Sequence, residues 1–127
     1  MRTCKFSAFI TNFPPFKKYT LYFKSIQMVH YVLFWLKNPE DSEARKTMEE
    51  GLKKLVTIQT IQSSFLGTPA ATEQRDVTDN SFTYSLMASF EDIAAHDSYQ
   101  TDPIHHEFID ACKDLWQSVK VFDSSAL

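Results

Sequence analysis

Val29-His-Tyr-Val-Leu-Phe-Trp-Leu36 decides the fold. Apart from His30 it is entirely aliphatic, β-branched or aromatic, which predicts a strand. Alternate residues of a strand share a face, so His30, Val32, Phe34 and Leu36 lie on one side and Val29, Tyr31, Leu33 and Trp35 on the other. Both faces are apolar, so this strand belongs in the middle of a sheet with both sides covered.

The neighbouring segments supply the partners. Asn38-Pro-Glu-Asp-Ser42 reads as a turn and helix start. A helix to about Ile58 follows, with Ala44, Met48, Leu52 and Leu55 as its apolar stripe. Glu43, Lys46, Glu50, Lys53 and Lys54 form its wet face. Thr60–Leu66 reads as a second strand ending at Gly67-Thr-Pro69, and residues 68–79 as a polar surface loop. Ser81–Phe90 is a third strand, with Phe82, Tyr84, Leu86 and Ala88 on one face. Glu91 to about His96 is a short helical turn. A helix from Pro103 to Ser118 buries Phe108, Cys112 and either Leu115 or Trp116, and Val119–Phe122 closes the chain as a short strand. The order β-α-β-β-α-β predicts an α+β, ferredoxin-like domain: an antiparallel four-stranded sheet with two helices on one face. The opposite face is also oily, which predicts a homodimer through the sheet faces.

Composition narrows the function. The 127 residues suit one domain, and 43% hydrophobic residues with eleven phenylalanines allow a real core. Two glycines disfavour Gly-rich phosphate loops. The two cysteines, Cys4 and Cys112, suit a reducing, cytoplasmic setting without a structural disulfide. Tyr31–Leu36, the longest apolar run, is too short for a membrane span. Residues 1–27 carry Arg2, Lys5, Lys17, Lys18 and Lys24 and no acid, so the net charge of −3 divides into +5 there and −8 over residues 28–127. An acidic body argues against nucleic-acid binding. The leader 1–27 fits neither a secretory signal nor a transit peptide well. We expect an early-called start, with Met28 as the true first residue, against an N-terminal arm that packs its aromatics on the domain. An intact native mass beginning at Met1 would overturn that expectation.

Chemistry concentrates in Tyr99-Gln-Thr-Asp-Pro-Ile-His-His-Glu-Phe108. Asp102 is a good N-cap and Pro103 suits the first helical position, so His105 and His106 fall in the first turn. The helix dipole there disfavours their cationic forms. His105 titrates near neutrality and is a candidate general acid or base. Tyr99 is a candidate hydrogen-bond donor to an enolate or carbonyl oxygen, and His30 can line the same cavity as Phe34. The plainer readings stand beside these. His105 can hold a loop through a backbone carbonyl, His30 and Tyr99 can be satisfied core residues, and Asp102 can be a cap alone. Adjacent His105 and His106 diverge by about 100° and make a poor ligand pair. A zinc or iron site from His30, His105 and a carboxylate has no motif spacing behind it, so neither metal nor cofactor is expected. His96 is expected to be exposed, and Cys112 to be a buried small hydrophobe rather than a nucleophile.

Met28–Asp123 resembles the Dabb family, the stress-responsive A/B barrel domain of the dimeric α/β-barrel superfamily. The likeness rests on His30 opening the first strand, Gly67 ending the second, Phe82–Phe90 followed by Glu91-Asp92, Tyr99-x-x-x-Pro103-x-His105 with Phe108, and Val121-Phe122-Asp123. The resemblance implies that two sheets form a dimeric barrel, and that the activity is unassigned, as in most members. A related fold, the plant olivetolic acid cyclase, closes a polyketide by aldol chemistry. By that resemblance His105, Tyr99 and His30 are the tentative catalytic set, with Phe34, Tyr84 and Asp102 lining the substrate pocket. Tyr84 stands where the cyclase has a histidine, and Asp102 where the family often has one. Two functions follow as expectations: a stress-response module that binds a small apolar molecule, or a cofactor-independent cyclase, lyase or isomerase using His105. A monooxygenase-like or haem-handling activity, found in related barrels, is a weaker third.

Overall fold

The computed structural model describes residues 25–127. The leader expectations and Cys4 lie outside those residues. Four strands, β1 (Met28–Leu36), β2 (Ser63–Gly67), β3 (Tyr84–Phe90) and β4 (Trp116–Ser125), form one sheet in the order β2-β3-β1-β4. Every pairing is antiparallel. Helices α1 (Ser42–Leu55), α2 (Ile93–Thr101) and α3 (Pro103–Cys112) complete the α+β domain, with a 3₁₀ turn at Lys113–Leu115. This is the ferredoxin-like arrangement expected, with three helices instead of two. No helix among the described residues is long and apolar enough to cross a membrane.

β1 is the central strand, and its alternation is sharp. Met28, His30, Val32, Phe34 and Leu36 are buried, while the residues between them are half-buried. The buried face meets Met48, Leu52 and Leu55 of α1, Leu86 and Phe90 of β3, and Phe108 of α3. Asp41 starts α1 by accepting from the Glu43 and Ala44 backbone N–H groups. The apolar stripe read from the sequence, Ala44, Met48, Leu52 and Leu55, is the stripe that is buried.

Several boundaries differ from expectation. α1 ends at Leu55 rather than Ile58, because residues 56–61 close into turns, with the Ile58 N–H on Leu55 O and the Ile61 N–H on Ile58 O. Strands β2 and β3 begin later than Thr60 and Ser81, since pairing starts only at Ser63↔Ser89 and at Phe34↔Tyr84. The helical turn after Glu91 is a full helix through Thr101, capped by Asp92 on the Ala95 N–H. The largest correction is at the C-terminus. α3 stops at Cys112 rather than Ser118, and β4 runs ten residues instead of four. Gln117, Ser118, Ser124 and Ser125 are poor β-formers. The serines extend because Trp35, Val29 and Met28 of β1 pair with Ser118, Ser124 and Ser125, and Gln117 falls where the register shifts between Trp35 and Leu36.

Gly51 sets how closely α1 and α3 approach. A Cβ there would lie 2.9 Å from Cys112 Sγ and 3.1 Å from Phe108 Cδ2. Gly51→Ala gains about 0.5–1 kcal/mol of helix propensity but overpacks this contact, at a cost of about 1–3 kcal/mol. The expected net outcome in denaturant melts is destabilisation. Most of that loss should disappear when the change is made in a Cys112→Ala background. A Gly51→Ala protein more stable than the parent would refute the close-contact argument.

Candidate functional site

Three elements bring the titratable residues together. β1 carries His30, α2 carries His96 and Tyr99 one turn apart, and the first turn of α3 carries His105. Tyr99 is at the centre and 1% exposed. Its ring centroid lies 4.9 Å from His105, 5.6 Å from His30 and 6.2 Å from His96. Phe90 packs on the other side, 5.2 Å from Tyr99 and 5.5 Å from His96. Burial raises the Tyr99 pKa, so the phenol is a hydrogen-bond donor rather than an anion.

His30 is tied across the sheet. The β1–β4 register places it opposite Asp123. Its Nδ1 lies 2.6 Å from the Asp123 carboxylate, which accepts the Nδ1–H. Burial lowers the His30 pKa, and the Asp123 contact partly opposes that. His105 is also lowered, first by burial and then by His106 and His30, with Asp102 pulling the other way. His105 is therefore neutral at pH 7, with a lone pair to offer as a base.

A cavity of about 160 Å³ lies under α2 and α3 against this cluster. His30, Tyr99 and His105 form its polar end, while Val32, Phe34, Leu86 and Phe108 form its apolar wall. Val119 and Val121 of β4, both partly exposed, line its open side, because pairing with Phe34 and Val32 puts them on the same face.

Of the six residues singled out by sequence, His30, Tyr99, His105 and Phe34 converge here. Two do not. Tyr84 opens on a different cavity, with Glu49, Leu52, Leu66 and Gly67, and has Arg45 stacked over its ring at 5.0 Å. It pairs with Phe34 at the opposite end of the β1–β3 ladder from Phe90, so a shared strand face did not mean a shared cavity. Asp102 is the cap between α2 and α3, accepting from the Ile104 N–H at 2.8 Å. Sequence reasoning missed His96 and Asp123. The expectation that His96 is exposed is wrong: its side chain is 13% exposed. The signal was its i, i+3 spacing from Tyr99. Asp123 was legible from the Val119, Val121, Asp123 alternation, once β4 extends that far. His106 is exposed, and Cys112 is a buried free thiol raised to about 11 by desolvation, unsuited to nucleophilic attack.

Comparison with known proteins adds a family and a fold. The sequence pattern described as Stress responsive A/B Barrel Domain (Dabb) matches residues 28–126. No curated protein matches the chain. A dimeric ferredoxin-like protein of unknown function from Thermobifida fusca superposes with a TM-score of 0.66 at 15% identity, covering 84% of this chain and 96% of that one. A Dabb family protein with a ferredoxin-like fold from Mesorhizobium loti gives 0.64 at 21% identity, over 81% and 99%. Hydroxynitrile lyase from Passiflora edulis gives 0.66 at 17% identity, over 81% and 96%.

The lowered His105 pKa fixes a pH dependence. An unfolded histidine takes its proton near pH 6.5, whereas folded His105 resists it to lower pH. The unfolded state therefore binds more protons in that window, and stability falls as pH drops below about 6.5. Melting temperatures measured from pH 7 to pH 5 should fall less steeply for His105→Gln than for the parent. An unchanged slope would show that His105 titrates normally.

Proposed function

We propose that this chain, which belongs to the stress-responsive A/B barrel (Dabb) family, is a homodimer that holds a small apolar molecule in the cavity beneath α2 and α3. The observation that carries this reading is the cavity itself: an apolar wall of Val32, Phe34, Leu86 and Phe108 with one polar end at His30, Tyr99 and His105. A cavity of about 150 Å³ lined by apolar side chains accommodates benzene. The occupant is thus ring-sized, with a carbonyl or hydroxyl directed at the histidines. A reducing, cytoplasmic setting fits the free thiol of Cys112.

The dimer follows from the sheet's other face. Phe65↔Met87, Met87↔Tyr31 and Tyr31↔Phe122 are successive register pairs, so one apolar row crosses all four strands. Phe65 is 61% and Phe122 53% exposed in a single chain. Packing two such faces together removes that surface from water.

A second reading is favoured by the neutral His105 beside the Tyr99 phenol. These two groups can share a proton transfer next to a carbonyl, with His105 as base and Tyr99 donating to the oxygen that gains charge. This describes a cofactor-independent lyase, cyclase or isomerase, and one structural relative is a hydroxynitrile lyase.

Toluene and benzaldehyde serve as probes in ligand-detected NMR. The parent protein should bind both, Val121→Trp should bind neither, and His105→Gln should weaken benzaldehyde about tenfold, equivalent to about 1.4 kcal/mol, while sparing toluene. Absence of binding at millimolar probe would overturn the ligand reading. In sedimentation, Phe122→Lys should convert a dimer to a monomer. A parent that sediments as a monomer would overturn the dimer.

A further inference from the structure

Three of the four histidines lie on the buried side of the molecule, and two of them meet a carboxylate. One ring nitrogen each of His30 and His96 and one Asp123 carboxylate oxygen all lie within 4.8 Å of one another. The members come from three separate elements, β1, α2 and β4, so the fold rather than local sequence assembles them. We propose that His30, His96 and Asp123 bind one divalent transition-metal ion of the zinc or iron(II) class.

Ligand chemistry supports the assignment. Two imidazoles and one carboxylate suit zinc and iron(II), whereas calcium and magnesium take oxygen ligands throughout. Tetrahedral zinc with bonds of about 2.0–2.1 Å places its ligands about 3.3 Å apart. The three ligand atoms here lie within 4.8 Å of one another, so the side chains would have to adjust to reach that spacing around an ion.

The surroundings of His96 point the same way. Its Nδ1 lies 3.1 Å from the Asp97 carboxylate, which can only accept, so Nδ1 carries the proton. The lone pair is then on Nε2, where Gln100 approaches at 3.3 Å as a donor. A carboxylate that holds the distal N–H of an imidazole is the usual outer support of a metal-bound histidine. His96 is also held by its ring contact with Phe90, and with His30 at 5.0 Å between centroids. An ordinary structural role needs only the His30–Asp123 hydrogen bond. A bound ion would also account for the second imidazole lying within 4.8 Å of that pair. Three protein ligands leave a further coordination position, and the Tyr99 ring stands beside both histidines. An ion there would adjoin the cavity without occupying its apolar part.

The test uses the full chain, stripped with chelator and titrated with zinc by calorimetry and with cobalt(II) by visible absorption. One ion per chain is expected, with the intense visible bands of tetrahedral cobalt. His96→Gln and Asp123→Asn should each weaken binding at least about 100-fold, while His106→Gln should leave it unchanged. His96 is absent from the cavity wall, so His96→Gln should keep toluene binding; that separates failure of the metal site from failure of the ligand reading. Circular dichroism confirms that each variant is folded, and if Asp123→Asn is not, His96→Gln decides alone. No saturable binding at millimolar zinc overturns the proposal. So does binding that His96→Gln leaves intact, or that His106→Gln abolishes.

Discussion

The antiparallel ladder on both sides of β1 is the constraint from which the rest follows. β1 pairs with β3 through seven consecutive residues and with β4 over its whole length. This fixes the parity of the sheet. A slip of one residue would turn His30, Val32 and Phe34 away from the helices and put Tyr31 and Trp35 against them instead. The same register puts Asp123 opposite His30 and Val121 opposite Val32. The cavity wall, its polar end and the oily back row are therefore one consequence of a single pairing choice.

Much of this was legible in the chain. The β1 faces, the α1 stripe and the Asp102–Pro103 helix start are local patterns, and local patterns survive into the structure. What escaped reading depended on distant partners. Residues 116–118 and 124–125 carry helix- and turn-compatible side chains, and only the unpaired edge of β1 makes them a strand. His96 looked like one more polar residue on a helix of low amphipathicity. Its inward turn is completed by Phe90 and His30, and its i, i+3 spacing from Tyr99 was the local hint within α2. Tyr84 fell the other way. Its face was read correctly, but α1 lies across the sheet between it and His105, so one face hosts two cavities.

The site concentrates groups that titrate within a mostly apolar shell. Burial makes His30 and His105 hard to charge, and the imidazoles standing nearby add to the penalty. A shell of this kind tunes proton affinity without any strongly charged residue in the cavity. It also makes the cluster collective: protonating any one member changes the affinity of the rest. Fold alone does not choose between storage of a ligand and turnover of one. The choice lies in the arrangement of His30, Tyr99 and His105, and that arrangement is common to both readings.

Cys112 has a consequence of its own. Its sulfur sits beneath Gly51 with its pKa lifted to about 11, so in the closed domain it is both shielded and protonated. Thiol-labelling reagents can reach it only when α1 and α3 part. The labelling rate of Cys112, separated from that of Cys4 by peptide mass, is then a built-in gauge of how often that seam breathes, readable without any added fluorophore.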